Sequence, residues 1–190
     1  MNTSRWYGRA MPLTKALTGL ARWPIVALCG LLTVLFLLYF SATERAAPEG
    51  TAGVIELELA FTEARFNGIV DQWAEAGTLG VQQRNLWLDL LFPFAYAGLL
   101  TGLLGMLALP SSGEPKLGLS VLVTLPLVAG VLDWIENGLL IWLLGQGHYH
   151  GPILVFMMST ISSIKWLLLL VSGAGIIYQL LRRIVAGRLR

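Results

Sequence analysis

Charge is what this chain has least of: only 13% of its 190 residues are Asp, Glu, Lys or Arg, while 56% are hydrophobic. A soluble domain carries roughly a quarter charged residues, so too few polar side chains remain here to coat a surface facing water. The mean hydropathy of +0.70 points the same way, to lipid as the solvent for most of the exterior. Cysteine is nearly absent; Cys29 stands alone inside an apolar run, which excludes an intramolecular disulfide framework. The two histidines, His148 and His150, lie in one segment, so a haem held by histidines from two different spans is excluded. HExxH, GxxxxGK[ST] and GxSxG motifs are all missing. No cofactor and no metal are expected. The arginines at 182, 183, 188 and 190 follow an apolar stretch directly, as membrane anchors do, and no nucleic-acid partner is expected.

What the chain does have is long apolar runs. A helix that crosses a bilayer needs about 20 mostly apolar residues, because its backbone must satisfy its own hydrogen bonds. Four segments qualify: Pro24 to Phe40, Leu86 to Leu109, Leu117 to Leu144, and Ile153 to Leu181. The first has a long basic leader and is followed by Phe40-Ser41-Ala42, a poor small-x-small cleavage site, so it is expected to be a retained helix rather than a signal peptide. The expectation is an all-α membrane protein, a four-transmembrane-helix bundle forming one integral membrane domain over residues 1–190.

Charge asymmetry orients the spans. Arg5, Arg9, Lys15 and Arg22 precede the first, Lys116 separates the second from the third, and four arginines follow the fourth. The segment from Glu44 to Arg84 instead carries seven acidic residues against three arginines. The positive-inside rule then places both termini in the cytoplasm, in a bacterial-type inner (plasma) membrane, with the insertion 43–84 outside. Trp87 and Trp142 mark the outer interface and Trp23 the inner one. Gly98, Gly102 and Gly105 in the second span, and Ser172-Gly173-Ala174-Gly175 in the fourth, allow close backbone approach. Packing within the chain is the plainer use of these residues, and a homodimer stays open.

The insertion carries two periodicities. Ile55, Leu57, Leu59 and Phe61 alternate with Glu56, Glu58 and Ala60, which predicts a half-buried strand over 54–61. Its pairing partner would be the stretch from Leu79 to Gln82 or another chain. Thr62 then occupies an N-cap position, and Phe66, Ile69, Val70 and Trp73 form an i, i+3, i+4, i+7 stripe that Gly77 ends. That predicts an amphipathic helix lying on the outer face or capping the bundle.

The functional signal lies in charges inside the spans, where ionisable groups are costly and face the bundle interior near a partner. Asp89 belongs to the second span, Asp133 and Glu136 to the third, and Lys165 to the fourth. Asn137 shares a helical face with Asp133 and Glu136, and Tyr96 shares one with Asp89. With a rise of 1.5 Å per residue, Glu136 lies ~9 Å and Asp133 ~13 Å inward of Trp142, and the Lys165 backbone ~18 Å inward of Ile153. Side chains lean toward the helix N-terminus, which brings the ammonium and the carboxylates to one level. Asp89, two residues past Trp87, is expected to be interfacial. Carboxylates outnumber ammonium, so one of them is expected to be protonated or the site to hold a cation.

Three functions fit such a cluster: a proton- or cation-linked site for a small or lipidic ligand, a membrane enzyme using Asp133 or Glu136 as general acid on a lipid or isoprenoid, or a structural network that only fixes helix register. The first is preferred, with Asp133, Glu136, Asn137, Lys165, Tyr96 and Asp89 as ligand- or proton-binding residues and the lipid bilayer as the surrounding partner. A transport role with four spans would call for a dimer. His148-Tyr149-His150 is a weak metal candidate, and the Ser159–Ser163 stretch is expected to serve packing rather than nucleophilic chemistry.

Overall fold

A computed structural model describes residues 19–108, 117–147 and 151–188, and every regular element in them is helical. In chain order these are α1 (Trp23–Arg45), α2 (Val54–Glu58), α3 (Glu63–Glu75), α4 (Leu79–Asp89), α5 (Phe92–Ala108), α6 (Leu117–Gly145) and α7 (Pro152–Arg188). Among the described residues α1, the stretch Val121–Gly145 of α6 and the stretch Pro152–Val185 of α7 are each long and apolar enough to cross a membrane; α4 and α5 together make a fourth candidate, bent by 45°. Their outward faces are apolar, with Leu28, Leu31, Leu38, Leu167 and Leu170 all more than half exposed. Such a surface is compatible with a lipid surrounding.

The second expected span is therefore two helices. Pro93 supplies the cause: it has no N–H to give the carbonyl one turn back, and its ring crowds that turn. The regular helix is interrupted by a turn at Leu90 and Leu91, and the Trp134 indole N–H donates to the Leu90 carbonyl at 2.9 Å. A neighbouring helix thus satisfies a backbone group that the break sets free.

α5 packs against α1, α6 and α7, and α6 packs along α7. The α1–α5 contact depends on glycine. A methyl group at Gly102 would come within 2.5 Å of Val26 Cγ2 and 2.9 Å of the Leu20 carbonyl oxygen, and one at Gly98 within 2.8 Å of Cys29 Sγ. The small-residue face of α5 is thus engaged inside the chain.

The strand expected over 54–61 is absent: residues 54–58 are a short helix, and Leu79–Gln82, its expected partner, begins α4. The reason is backbone satisfaction. A lone strand would leave its N–H and C=O groups unpaired, whereas the helical turn bonds Leu59 N–H to the Ile55 carbonyl at 3.1 Å, and the Glu56 carboxylate accepts the Gly53 N–H at 3.0 Å. Burial no longer alternates. Leu57 and Glu58 both point inward, while Ile55 is about half exposed. The chain then reverses at Phe61, whose φ of 55° lies in the left-handed region. The Phe61 N–H donates to Ser159 Oγ on α7 at 2.9 Å, which fixes this corner to the bundle.

α3 matches its prediction closely. Thr62 caps it by accepting the Arg65 N–H at 3.4 Å, and Gly77, at φ +68°, follows its end. Phe66, Ile69, Val70 and Trp73 are buried in a core shared with Leu57, with Leu140, Leu143 and Leu144 of α6, and with Val155 and Met158 of α7. The insertion therefore packs over the joined ends of α6 and α7. Gly102→Ala should lower stability in detergent by about 1–3 kcal/mol through overpacking, while Gly138→Ala, where a methyl meets nothing within 4 Å, should leave it unchanged or raise it. Thermal unfolding of both variants decides whether α5 is seated as described.

Candidate functional site

Lys165 is the centre of the interior. It projects from the middle of α7, is buried, and its Nζ lies 2.6 Å from Glu136 Oε2, 3.1 Å from Asp133 Oδ1 and 3.4 Å from Glu58 Oε2. The i, i+3 spacing on α6 presents Asp133 and Glu136 on one face, and α7 lays Lys165 against it. A lysine ammonium has three donors and no acceptor, and each of the three carboxylates takes a place around it.

Further hydrogen bonds tie these carboxylates to the surrounding helices. Tyr96 on α5 donates its hydroxyl to Asp133 Oδ2 at 2.8 Å. Asn137 donates to Asp89 Oδ2 at 2.8 Å and to Asp133 Oδ1 at 3.4 Å, so one amide bridges α6 to the break between α4 and α5. Ser162 lies between Glu58 and Glu136 and bonds both, and the Trp166 indole donates to Glu58 Oε2 at 3.0 Å. Asp89, Tyr96, Asp133, Glu136, Asn137 and Lys165, far apart in sequence, thus form one connected network.

Glu58 is the participant that the sequence pattern concealed. Period-two alternation assigns it to the solvent face; the helical turn of α2 turns it into the bundle. Its only signal was an acidic residue set between the apolar Leu57 and Leu59. Asp89 is partly exposed, and its carboxylate joins the network. Of the two mid-span tryptophans, Trp166 touches the site and Trp134 serves the helix break instead.

The network holds four carboxylates and one ammonium: Glu58, Asp133 and Glu136 contact Lys165, and Asp89 joins through Asn137. Among the described residues no group of carboxylate, cysteine or histidine side chains is placed to hold a metal ion; the ammonium fills the space between the carboxylates. His148-Tyr149-His150 lies outside the described residues. In α7, Thr160 and Ser163 bond carbonyls one turn back, as expected of hydroxyls in an apolar helix.

A cavity of about 240 Å³ opens onto this network, with Glu58, Asp89, Tyr96, Asp133 and Lys165 in its wall. Its remaining wall is largely apolar, including Leu37 and Phe40 of α1, Phe92 of α5 and Leu169 of α7. One water needs only ~10–15 Å³ of such volume, and small-molecule sites begin near ~300 Å³. α1 and α7 flank the cavity while each packs chiefly on other helices. Comparison with protein families, with curated proteins and with solved structures yields no match. What the site does has to be argued from its own chemistry.

Tyr96→Phe removes the only side-chain donor to Asp133 Oδ2 among the described residues. It should cost about 1–3 kcal/mol, the penalty for leaving a buried acceptor bare. Tyr178→Phe, at an exposed hydroxyl, should change stability by less than about 0.5 kcal/mol. Denaturant titrations of the two in matched detergent test the network.

Proposed function

We propose that this chain is a four-span membrane protein whose interior carboxylate–lysine cluster is a proton- or cation-linked binding site for a small or lipidic ligand. The observation that carries the proposal is the cavity: a network that served only to fix helix register would be closed, and this one has an opening against five of its polar members. The excess of carboxylate over ammonium supplies the linkage. A buried charge without a partner is costly enough that a proton or a cation has to accompany the surplus.

In this account α4 and α5 form one broken span. Both termini are cytoplasmic, the α2–α3 insertion faces outward as a lid, and the membrane is a bacterial-type inner membrane. Arg183, near the end of α7, donates to the Met106 and Leu107 carbonyls at the end of α5, at 2.7 and 3.0 Å. That places a basic residue at the end of the bundle opposite the acidic insertion, in keeping with the positive-inside rule.

The apolar wall between α1 and α7 favours a second reading, a membrane-embedded acid/base enzyme acting on a lipid or isoprenoid, with Asp133 or Glu136 as the acid. A lipid substrate would reach Asp133 sideways from the bilayer. Chemical change of the bound species separates this reading from simple binding.

Leu37→Trp tests the site. Leu37 is half exposed on α1, so a larger ring is tolerated by the fold and fills the mouth of the cavity. Native mass spectrometry of protein released from its own membrane should show a small or lipidic species on the wild type that is missing from the variant. Identical spectra with no bound species, or the same species on both, would remove the cavity as the binding place.

A further inference from the structure

We infer that the cavity accepts the primary ammonium group of an amphiphile whose hydrocarbon chain lies along the gap between α1 and α7. This rests on the ligand-site proposal and names the chemistry of the ligand. Polar groups in the cavity wall are dominated by acceptors. Glu58, Asp89 and Asp133 line it, Glu44 stands at its exposed edge, and Lys165 is the only cation among the described lining residues. Lys165 is already surrounded by Glu58, Asp133 and Glu136, which leaves Asp89 as a carboxylate whose described donor is the neutral Asn137.

The independent observation is Asn85. This residue of α4 lines the cavity, is 8% exposed, and donates Nδ2 to Thr43 Oγ1 at 3.0 Å, while its Oδ1 has no partner among the described residues. Buried amide oxygens are rarely left bare, because desolvation without a hydrogen bond costs about 1–3 kcal/mol. A bare acceptor one helical turn from Asp89 asks for a donor. Among headgroups, a primary ammonium brings three donors, no acceptor and the charge that the surplus carboxylate lacks. An anionic headgroup would face carboxylates on several sides. A hydroxyl would satisfy Asn85 and leave the charge unbalanced.

The apolar part of the wall says what the ammonium is attached to. Leu37, Phe40, Phe92 and Leu169 line it, and Leu37 is half exposed on α1, so an alkyl chain passing these residues would remain in lipid-like surroundings. The source is either a bilayer lipid with an ethanolamine headgroup or a free long-chain amine.

The test uses the full chain in phosphatidylcholine nanodiscs at neutral pH, titrated with n-octylamine, n-octanol and octanoate by calorimetry, with partition into empty discs subtracted. Octylamine should bind saturably and at least about tenfold more tightly than either partner, a difference near 1.4 kcal/mol. Asn85→Leu and Asp89→Asn should each weaken octylamine by about tenfold and leave octanol unchanged. If octanoate or octanol binds as well as the amine, the ammonium assignment falls while a ligand site remains. If none of the three binds saturably, the ligand-site proposal falls with it. The wild-type series stands even if a variant fails to fold. Addition of phosphatidylethanolamine to the discs names the source: weakened octylamine binding supports the ammonium assignment with a lipid headgroup as occupant, and unchanged binding supports it with a free amine.

Discussion

The ion contacts of Lys165 are the constraint on which the interior depends. A lysine in the middle of an apolar helix is expensive to hold, and its charge is tolerable only where carboxylates and further hydrogen bonds replace water. Here those carboxylates come from two other places in the chain, Asp133 and Glu136 of α6 and Glu58 of α2. The ammonium therefore joins the insertion, α6 and α7 through ion contacts at one point. Apolar packing of Leu57, Phe66 and Trp73 against α6 and α7 supplies the area that seats the insertion. The charges decide which way its first turn faces.

Once Glu58 is inside, the cluster carries more negative charge than one lysine can balance. Hydrogen bonds from Tyr96, Asn137, Ser162 and Trp166 ease the burial of these carboxylates without adding positive charge. In the function proposed above, a proton or a cation balances that surplus. The cavity extends it to an apolar wall, and the bend at Leu90–Leu91 places Asp89 and Asn85 beside that wall. An unbroken span could not present the end of α4 in this way.

Much of this was legible in the amino-acid sequence, and the misses have physical causes. The apolar runs, the capped α3 with its stripe, and the convergence of Asp133, Glu136, Asn137, Lys165, Tyr96 and Asp89 all followed from periodicity, rise per residue and the cost of intramembrane charge. The strand over 54–61 did not appear, because alternation over so few residues is also compatible with a helical turn, and only the turn satisfies its own backbone. That single change of period moved Glu58 from solvent to centre. The break in the second span was carried by Pro93, whose effect on a helix is local and is averaged away when a span is judged by hydropathy. The gap between α1 and α7 depends on how helices pack in three dimensions, which no single helix records.

The account stands or falls on whether Lys165 holds carboxylates that cannot be left alone. The direct measurement is a double-mutant cycle on unfolding free energy in lipid–detergent mixtures, with Lys165→Met, Glu136→Gln and the pair. Removing one partner of a buried ion pair typically costs about 3–5 kcal/mol, because the other charge is left uncompensated. Lys165→Met alone should therefore be strongly destabilised, and adding Glu136→Gln should recover a large part of the loss. Strictly additive losses, or a Lys165→Met protein as stable as the wild type, would contradict the account.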